Sequence, residues 1–153
     1  MKKITDQLGK GIDPNIRELV VALRLHGINT TSSCEGHLDH ITGGPYVMFE
    51  SPAVHTHAHA DPGYKNQYDA AAHANMKEVA KVLGLLDGFY KDRVVPIQQR
   101  LIVTHVGPLA GRLMCQGADL AYISDKGAQQ ELLAKNQHEA QAFADYLHKI
   151  IKK

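Results

Sequence analysis

The sequence has little of what would place it in a specialised class of protein. It contains no tryptophan, only two cysteines in 153 residues, and a net charge of only +1. Two cysteines are too few for a disulfide framework. The near balance of 17 basic and 16 acidic residues is unlike the clustered positive charge of dedicated nucleic-acid binders. Nucleic acid is therefore not an expected partner, although a local basic patch would be compatible with one.

Long apolar runs are also absent. None approaches the roughly 18 residues that cross a bilayer, and the opening MKKITDQLGKG has no apolar core of the kind that a secretory signal needs. We therefore expect a cytoplasmic protein without a membrane partner, in which Cys34 and Cys115 stay reduced. A disulfide between the two remains open on sequence alone. The length predicts a single domain over residues 1–153.

The apolar periodicity predicts an α+β fold with the order α-β-β-α-β-β-α and an antiparallel or mixed sheet packed with helices. The first helix begins at Pro14 after Asp13 as N-cap and ends at Gly27. The last helix covers residues 127–150. Strands are predicted at 28–34, 46–50, 100–106 and 112–116.

The second helix is predicted at residues 68–86, after a connection of residues 51–67 without a helical pattern. Its apolar residues recur at helical spacing and predict a core-facing stripe of Ala72, Met76, Val79, Ala80 and Leu83. A connection this long inside a compact domain is usually functional or mobile.

A reactive cluster follows the first strand, in the run TTSSCEGH. Gly36 permits the positive φ of a turn whose amides could hold an anion, with hydroxyls from Ser32 and Ser33 beside it. Those three residues are the predicted substrate-binding group.

Three further residues of the same run are predicted to be catalytic, namely Cys34, Glu35 and His37. Cys34 could be a nucleophile if the imidazole of His37 lowers its pKa. Glu35 could orient that imidazole or act as a general base. The same atoms could instead bind a metal through Cys34 and His37. The plainer interpretation is a structural turn with a small buried thiol.

Histidine is unusually frequent, with ten copies, five of which lie between His37 and His59. Histidines two apart share one face of an extended segment, so the run VHTHAHAD predicts a metal site with ligands from His55, His57 and His59. Our preferred set is the pair His57 and His59 with one further ligand, drawn from Cys34, His37, His40 or His105. Zinc or another divalent ion, with water in a fourth position, is the expected occupant. A solvated polar loop is the alternative.

A family resemblance starts at the first cluster. The run RELVVALRLHGINTTSSCEGH, followed by PYVMFES, resembles the start of the wybutosine-synthesising methyltransferases, the third enzyme of that tRNA-modifying pathway. In that family a helix precedes a strand ending in Ser-Ser-Cys-small-Gly-Arg. The matching positions are Ser32, Ser33, Cys34 and Gly36, whereas Glu35 and His37 differ. The sequence also resembles uncharacterised bacterial and phage proteins that carry Ser-Cys-Glu-Gly-His.

The resemblance implies a related fold, a pocket at this turn and transferase chemistry with S-adenosylmethionine. The residues themselves predict a polar pocket, possible metal assistance and a small anionic or nucleotide-like ligand, which leaves open whether the protein is an enzyme. The alternative is a non-catalytic ligand- or metal-binding regulatory module. A homodimer is a further possibility if the apolar stripe of the last helix is broad.

Overall fold

The computed structural model describes residues 4–40, 43–53 and 64–151, with residues 64–67 described by their backbone alone. It confirms the predicted α-β-β-α-β-β-α order and the α+β class. The helices are α1 (Pro14–Leu25), α2 (Tyr64–Tyr90) and α3 (Lys126–Ile151), and the strands are β1 (Thr30–Cys34), β2 (Tyr46–Phe49), β3 (Leu101–His105) and β4 (Gly111–Cys115). The strand ends differ from the predicted ones by at most two residues.

The four strands form one sheet in the order β1-β2-β4-β3, and every neighbouring pair is antiparallel. The register pairs Cys34 with Tyr46, and Met48 with Arg112. Directly paired residues lie on the same side of a sheet, and residues two apart on a strand share a face. These four side chains therefore lie on one face, called the outer face below.

The opposite face of the sheet carries the core. Val47, Phe49 and Leu113 are at most 1% exposed, and they join one apolar cluster with residues of all three helices, including Leu23, Val82 and Phe143. Burying side chains of this size contributes about 1.5–3 kcal/mol each. The described parts of the three helices thus pack against this face of the sheet. None of the described helices combines the length and apolarity that crossing a membrane requires.

Helix α1 follows its sequence signals closely. Pro14 occupies the first turn, and the chain leaves the helix through Gly27 at a φ of 75°, a conformation that favours glycine. Asp13 is the N-cap residue as predicted, but its side chain makes no capping hydrogen bond. Its carboxylate is therefore free for contacts elsewhere.

Helix α2 is longer than predicted and buries a different face. Residues 64–67 belong to it, and it continues through Gly84 to Tyr90. Met76 and Leu83, which the sequence assigned to the core, are 63% and 49% exposed, and Ala80 is exposed as well, so that part of the predicted stripe is wrong. The buried face instead includes the polar residues Asn75 and Glu78. Apolar periodicity could not detect a buried stripe that contains an amide and a carboxylate.

A buried polar network joins α2, β3 and α3. Glu139 is 1% exposed and accepts hydrogen bonds from Arg93 at 3.0 and 2.6 Å and from the Tyr90 hydroxyl at 2.9 Å. The backbone N–H of Leu101 donates to the Tyr90 oxygen at 2.8 Å. A buried carboxylate needs such compensation, so the network fixes how the last helix sits against the strand.

Both cysteines are free and buried, and the interior thiol predicts alkaline sensitivity. Burial raises the pKa of Cys115 to about 12 from an ordinary value of 9.0. Because the folded state holds this proton more tightly, its stabilisation is full below about pH 9 and is lost as the pH rises towards 12. We expect the free energy of unfolding to fall by up to about 1.4 kcal/mol per pH unit for this group alone.

Urea unfolding at about pH 8.5 and about pH 10 measures this loss. Cys115→Ala should show a smaller loss over the same interval than the unsubstituted protein, because it lacks this proton. Equal losses in the two proteins would show that Cys115 does not carry the effect.

Candidate metal centre

The end of β1 and the start of α1 lie side by side, joined by hydrogen bonds through Glu35. The backbone N–H of Glu35 donates to Oδ2 of Asp13 at 3.2 Å. The backbone N–H of Asn15, in the first turn of α1, donates to Oε2 of Glu35 at 2.9 Å. Glu35 thus satisfies a free amide of the helix start, the contact that a capping side chain normally supplies. The arrangement leaves the Asp13 carboxylate facing the turn after β1.

Three potential metal ligands converge at this point. One ligand atom each from Asp13, Cys34 and His37 lies within 4.8 Å of the other two. The closest carboxylate–imidazole separation, from Oδ2 of Asp13 to Nε2 of His37, is 3.9 Å. Ligand atoms around a tetrahedral zinc ion are about 3.5 Å apart, given bonds of 2.0–2.3 Å. Small side-chain movements would therefore bring all three onto one ion.

The three side chains differ in exposure. Cys34 is buried and only 9% exposed, whereas the side chains of His37 and Asp13 are 40% and 39% exposed. The sulfur thus lies at the bottom of the group, and the imidazole and carboxylate lie at its solvent side. An ion held by all three would keep at least one coordination position open to water.

The electrostatics of Cys34 disfavour a free thiolate and favour a cation. Burial is the main cause that raises the pKa of Cys34, a hydrogen bond from the Gly36 amide lowers it, and the negative charges of Asp13, Glu35 and Asp39 raise it further. A thiol activated for nucleophilic attack needs the opposite surroundings. A bound divalent ion would reverse this effect by stabilising the thiolate directly.

Gly36 shapes the turn that holds the sulfur. Its φ is 91°, and its N–H donates to Sγ of Cys34 at 3.4 Å. A Cβ at this position would lie 2.6 Å from the backbone oxygen of Gly43 and 2.6 Å from the side chain of Leu133. Helix α3 adds a further restraint, because the side-chain amide of Gln137 donates to the Glu35 carbonyl at 2.9 Å.

The amides of Glu35 and Gly36 in this turn already have partners in the protein itself. Those of Glu35 and Gly36 point at the Asp13 carboxylate and the Cys34 sulfur, so they stabilise the anionic atoms of the protein itself. Ser33 pairs with Val47 on the core face, and Ser32 pairs with Met48 on the outer face. The substrate-binding role of Ser32, Ser33 and Gly36 stays a prediction, as do the catalytic roles of Cys34, Glu35 and His37.

The other histidines named by the sequence fall into three groups. The ring of His40 packs edge-on against that of His37, with centroids 4.9 Å apart. His105 lies at the end of β3, three strand positions from β1, which is about 14 Å at the usual strand spacing and too far to join Cys34. His55, His57 and His59 lie outside the described residues, so their metal-binding role stays a prediction.

Tyr46 extends the site along the outer face. It pairs directly with Cys34, and the Arg112 guanidinium carbon lies 5.1 Å from the centroid of its ring. Burial chiefly raises the pKa of Tyr46; the charges of Cys34 and Asp13 add to this effect, and Arg112 opposes it. The tyrosine is therefore expected to stay a neutral phenol with its ring between the sulfur and the guanidinium.

Sequence reasoning missed Asp13 and Tyr46 as site residues. Asp13 carried the signal of a helix cap, which explained it sufficiently, and Tyr46 carried the signal of an ordinary strand residue. No sequence signal linked them to the cluster, because Glu35 lies 20 residues from the helix start that it caps. Only the packing of β1 against α1 brings Asp13 to the site.

Comparisons of the chain with family models, with curated proteins and with solved structures found no match. The resemblance to the wybutosine-synthesising methyltransferases therefore stays a prediction.

Proposed function

We propose that the turn after β1 binds one transition-metal ion through Asp13, Cys34 and His37, and that the protein is a metal-assisted enzyme acting on a small anionic substrate. The observation that carries the proposal is the convergence of a carboxylate, a sulfur and an imidazole nitrogen within 4.8 Å. Asp13 precedes α1, Cys34 ends β1 and His37 follows it, and hydrogen bonds from backbone amides hold the helix start and the strand end together.

The ligand set favours zinc among the common ions. Thiolate and imidazole ligands suit zinc and its transition-metal neighbours, whereas magnesium and calcium prefer sites made entirely of oxygen. Hydrogen bonds from the amides to the sulfur and the carboxylate are the kind of support that surrounds metal ligands in proteins.

In this proposal the fourth coordination position of the ion, which no described protein ligand fills, is where the reaction would take place. Three protein ligands with a water in the fourth position characterise catalytic rather than structural zinc sites. Zinc lowers the pKa of its bound water to about 7, which generates a nucleophile near neutral pH. Cys34 and His37 would then act as ligands, and Glu35 would position the turn.

Metal analysis of protein purified without a histidine tag tests the proposal. We expect about one zinc per chain, loss of that zinc in Cys34→Ser, and retention in Cys115→Ala, which removes the other buried thiol. His105→Ala is the matched control for His37→Ala. Each histidine lies at or just after the end of a strand, but only His37 lies close to the Cys34 sulfur. Zinc content that is unchanged in Cys34→Ser and His37→Ala would refute the metal site.

Two further measurements test the sequence predictions that extend this site. Metal content of His57→Ala and His59→Ala tests whether the histidine-rich run supplies an additional ligand. A thermal-shift measurement with S-adenosylmethionine, nucleotides and sugar phosphates tests the enzyme class. Stabilisation by S-adenosylmethionine would support the transferase that the family resemblance implies.

A non-catalytic metal-binding module is the second candidate. It is favoured by the fact that the ligands come from two different elements, Asp13 before α1 and Cys34 at the end of β1. An ion binding both would cross-link them and stabilise the fold, as structural zinc does. A fourth protein ligand, detected as loss of zinc in His57→Ala or His59→Ala, would favour this candidate because it closes the position that a substrate or water needs.

A further inference from the structure

Arg112 is a half-buried cation without a polar partner in the part of the chain that the structure describes. It makes no hydrogen bond or ion pair with any residue in the described ranges, and its Nε is buried without an acceptor. Its guanidinium instead lies over the ring of Tyr46, with the guanidinium carbon 5.1 Å from the ring centroid. By contrast, Arg24 donates to Thr30 and Arg93 donates to Glu139. A donor buried without an acceptor is costly, so its retention here needs a reason.

The sheet register brings Arg112 to the candidate metal centre. Cys34 pairs with Tyr46, and Arg112 pairs with Met48, two residues further along the same strand. All four side chains lie on the outer face, and Tyr46 and Arg112 are diagonal neighbours on the two central strands. The backbones of Cys34 and Arg112 are two strand spacings apart and offset by two residues along the strands, a distance of about 12 Å. The guanidinium reaches back over Tyr46 and shortens that gap.

Cys34, Tyr46 and Arg112 follow one another across the outer face, and the surroundings of Cys34 and of Arg112 have opposite charge. Asp13, Glu35 and Asp39 surround the sulfur at one end, a setting that attracts a cation. At the other end Arg112 has no acidic partner among the described residues, which is a setting that attracts an anion. Tyr46, which pairs with Cys34 and contacts the Arg112 guanidinium, lies between them on the outer face.

We propose that Arg112 binds an anionic group, a phosphate or a carboxylate, of the substrate that reacts at the metal. This inference rests on the proposed function above and defines its substrate class as a small organic anion. The planar guanidinium fork matches two oxygens of either group. Stacking on Tyr46 holds the fork in place before the ligand arrives, which reduces the ordering cost of binding. The charged group of the substrate would lie several bonds from its reacting group.

Calorimetric titration of the full chain with inorganic phosphate, and separately with malonate, tests the inference. Each titration is carried out on metal-free and on zinc-loaded protein. We expect Arg112→Gln to weaken binding of the preferred anion by about tenfold or more, because a charge-assisted pair is lost. Arg112→Lys keeps the positive charge but not the two-pronged guanidinium, so its affinity for the anion should lie between those of the unsubstituted protein and Arg112→Gln. The preferred anion identifies whether the substrate group is a phosphate or a carboxylate.

Arg100→Gln is the matched control. Arg100 also stacks on a tyrosine, with its guanidinium carbon 4.0 Å from the Tyr90 centroid, but it is exposed and lies away from the metal centre. It should leave anion binding unchanged. An equal weakening in both variants would reduce the effect to general surface charge and overturn the inference, as would the absence of anion binding in the unsubstituted protein.

The metal-free arm keeps this test separate from the proposed function. Arg112→Gln should bind zinc as the unsubstituted protein does, since Arg112 is no ligand. Anion binding that depends on Arg112 in a protein that binds no zinc would support the anion site and refute the metal site. Zinc binding without Arg112-dependent anion binding would refute the inference and leave the metal site intact.

Discussion

Gly36→Ala is expected to destabilise the fold by about 3 kcal/mol, from left-handed strain of about 1–2 kcal/mol and an overpacking cost of similar size. The φ of 91° disfavours any side chain, and the new Cβ would overlap the Gly43 oxygen and Leu133 at 2.6 Å. The turn could accommodate the methyl group only by moving Cys34, whose sulfur accepts from the Gly36 amide. Zinc binding should therefore be lost together with stability. Chemical denaturation and metal analysis measure both effects.

Two other glycines separate the causes. Gly27 also has a positive φ, of 75°, but nothing lies within 4 Å of a Cβ there, so Gly27→Ala should lose only the strain of about 1 kcal/mol. Gly84 lies inside α2 with open space around it, so Gly84→Ala should stabilise the protein by up to about 1 kcal/mol. Losses of equal size in Gly36→Ala and Gly27→Ala would show that the contact with Gly43 and Leu133 contributes nothing.

Local signals predicted most of the fold. Pro14 and Gly27 define α1 because each acts through its own backbone conformation, and alternating apolar residues define the strands because the outer face is only half-buried. The face of α2 was not predictable in this way. The Asn75 amide approaches the backbone of residues 108–110, which a distant segment supplies, and the Glu78 carboxylate pairs with Lys81 one turn further along the same helix.

The candidate site was predictable only in part, because it depends on contacts between distant segments. The sequence identified Cys34 and His37 since they share one short run. It gave no means of adding Asp13, which is 21 residues before Cys34, or of recognising that Gln137 on α3 restrains the same turn. The same reason explains Arg112, whose relation to Cys34 exists only through the register of three strands.

The two carboxylates at the start of α1 provide the sharpest test of the site. By sequence, Asp13 is the helix cap and Glu35 is the candidate catalytic group. In the fold it is Glu35 that accepts from the helix amide at Asn15, while Asp13 lies 3.9 Å from Nε2 of His37. We therefore expect the two residues to contribute to different properties of the protein.

Asp13→Asn should weaken zinc binding by about a hundredfold, since a charged ligand becomes neutral, and change stability of the metal-free fold by no more than about 0.5 kcal/mol. Glu35→Gln should cost about 1 kcal/mol of stability through the weakened cap and change zinc affinity by only a few-fold. Competition with a chelator measures the affinities, and urea unfolding of metal-free protein measures the stabilities. The reverse pattern, with Asp13→Asn destabilising the fold and Glu35→Gln releasing zinc, would assign Asp13 to the cap and Glu35 to the ion. If both substitutions leave zinc affinity unchanged, neither carboxylate binds the metal, and Cys34 and His37 would need their remaining ligands from another part of the chain.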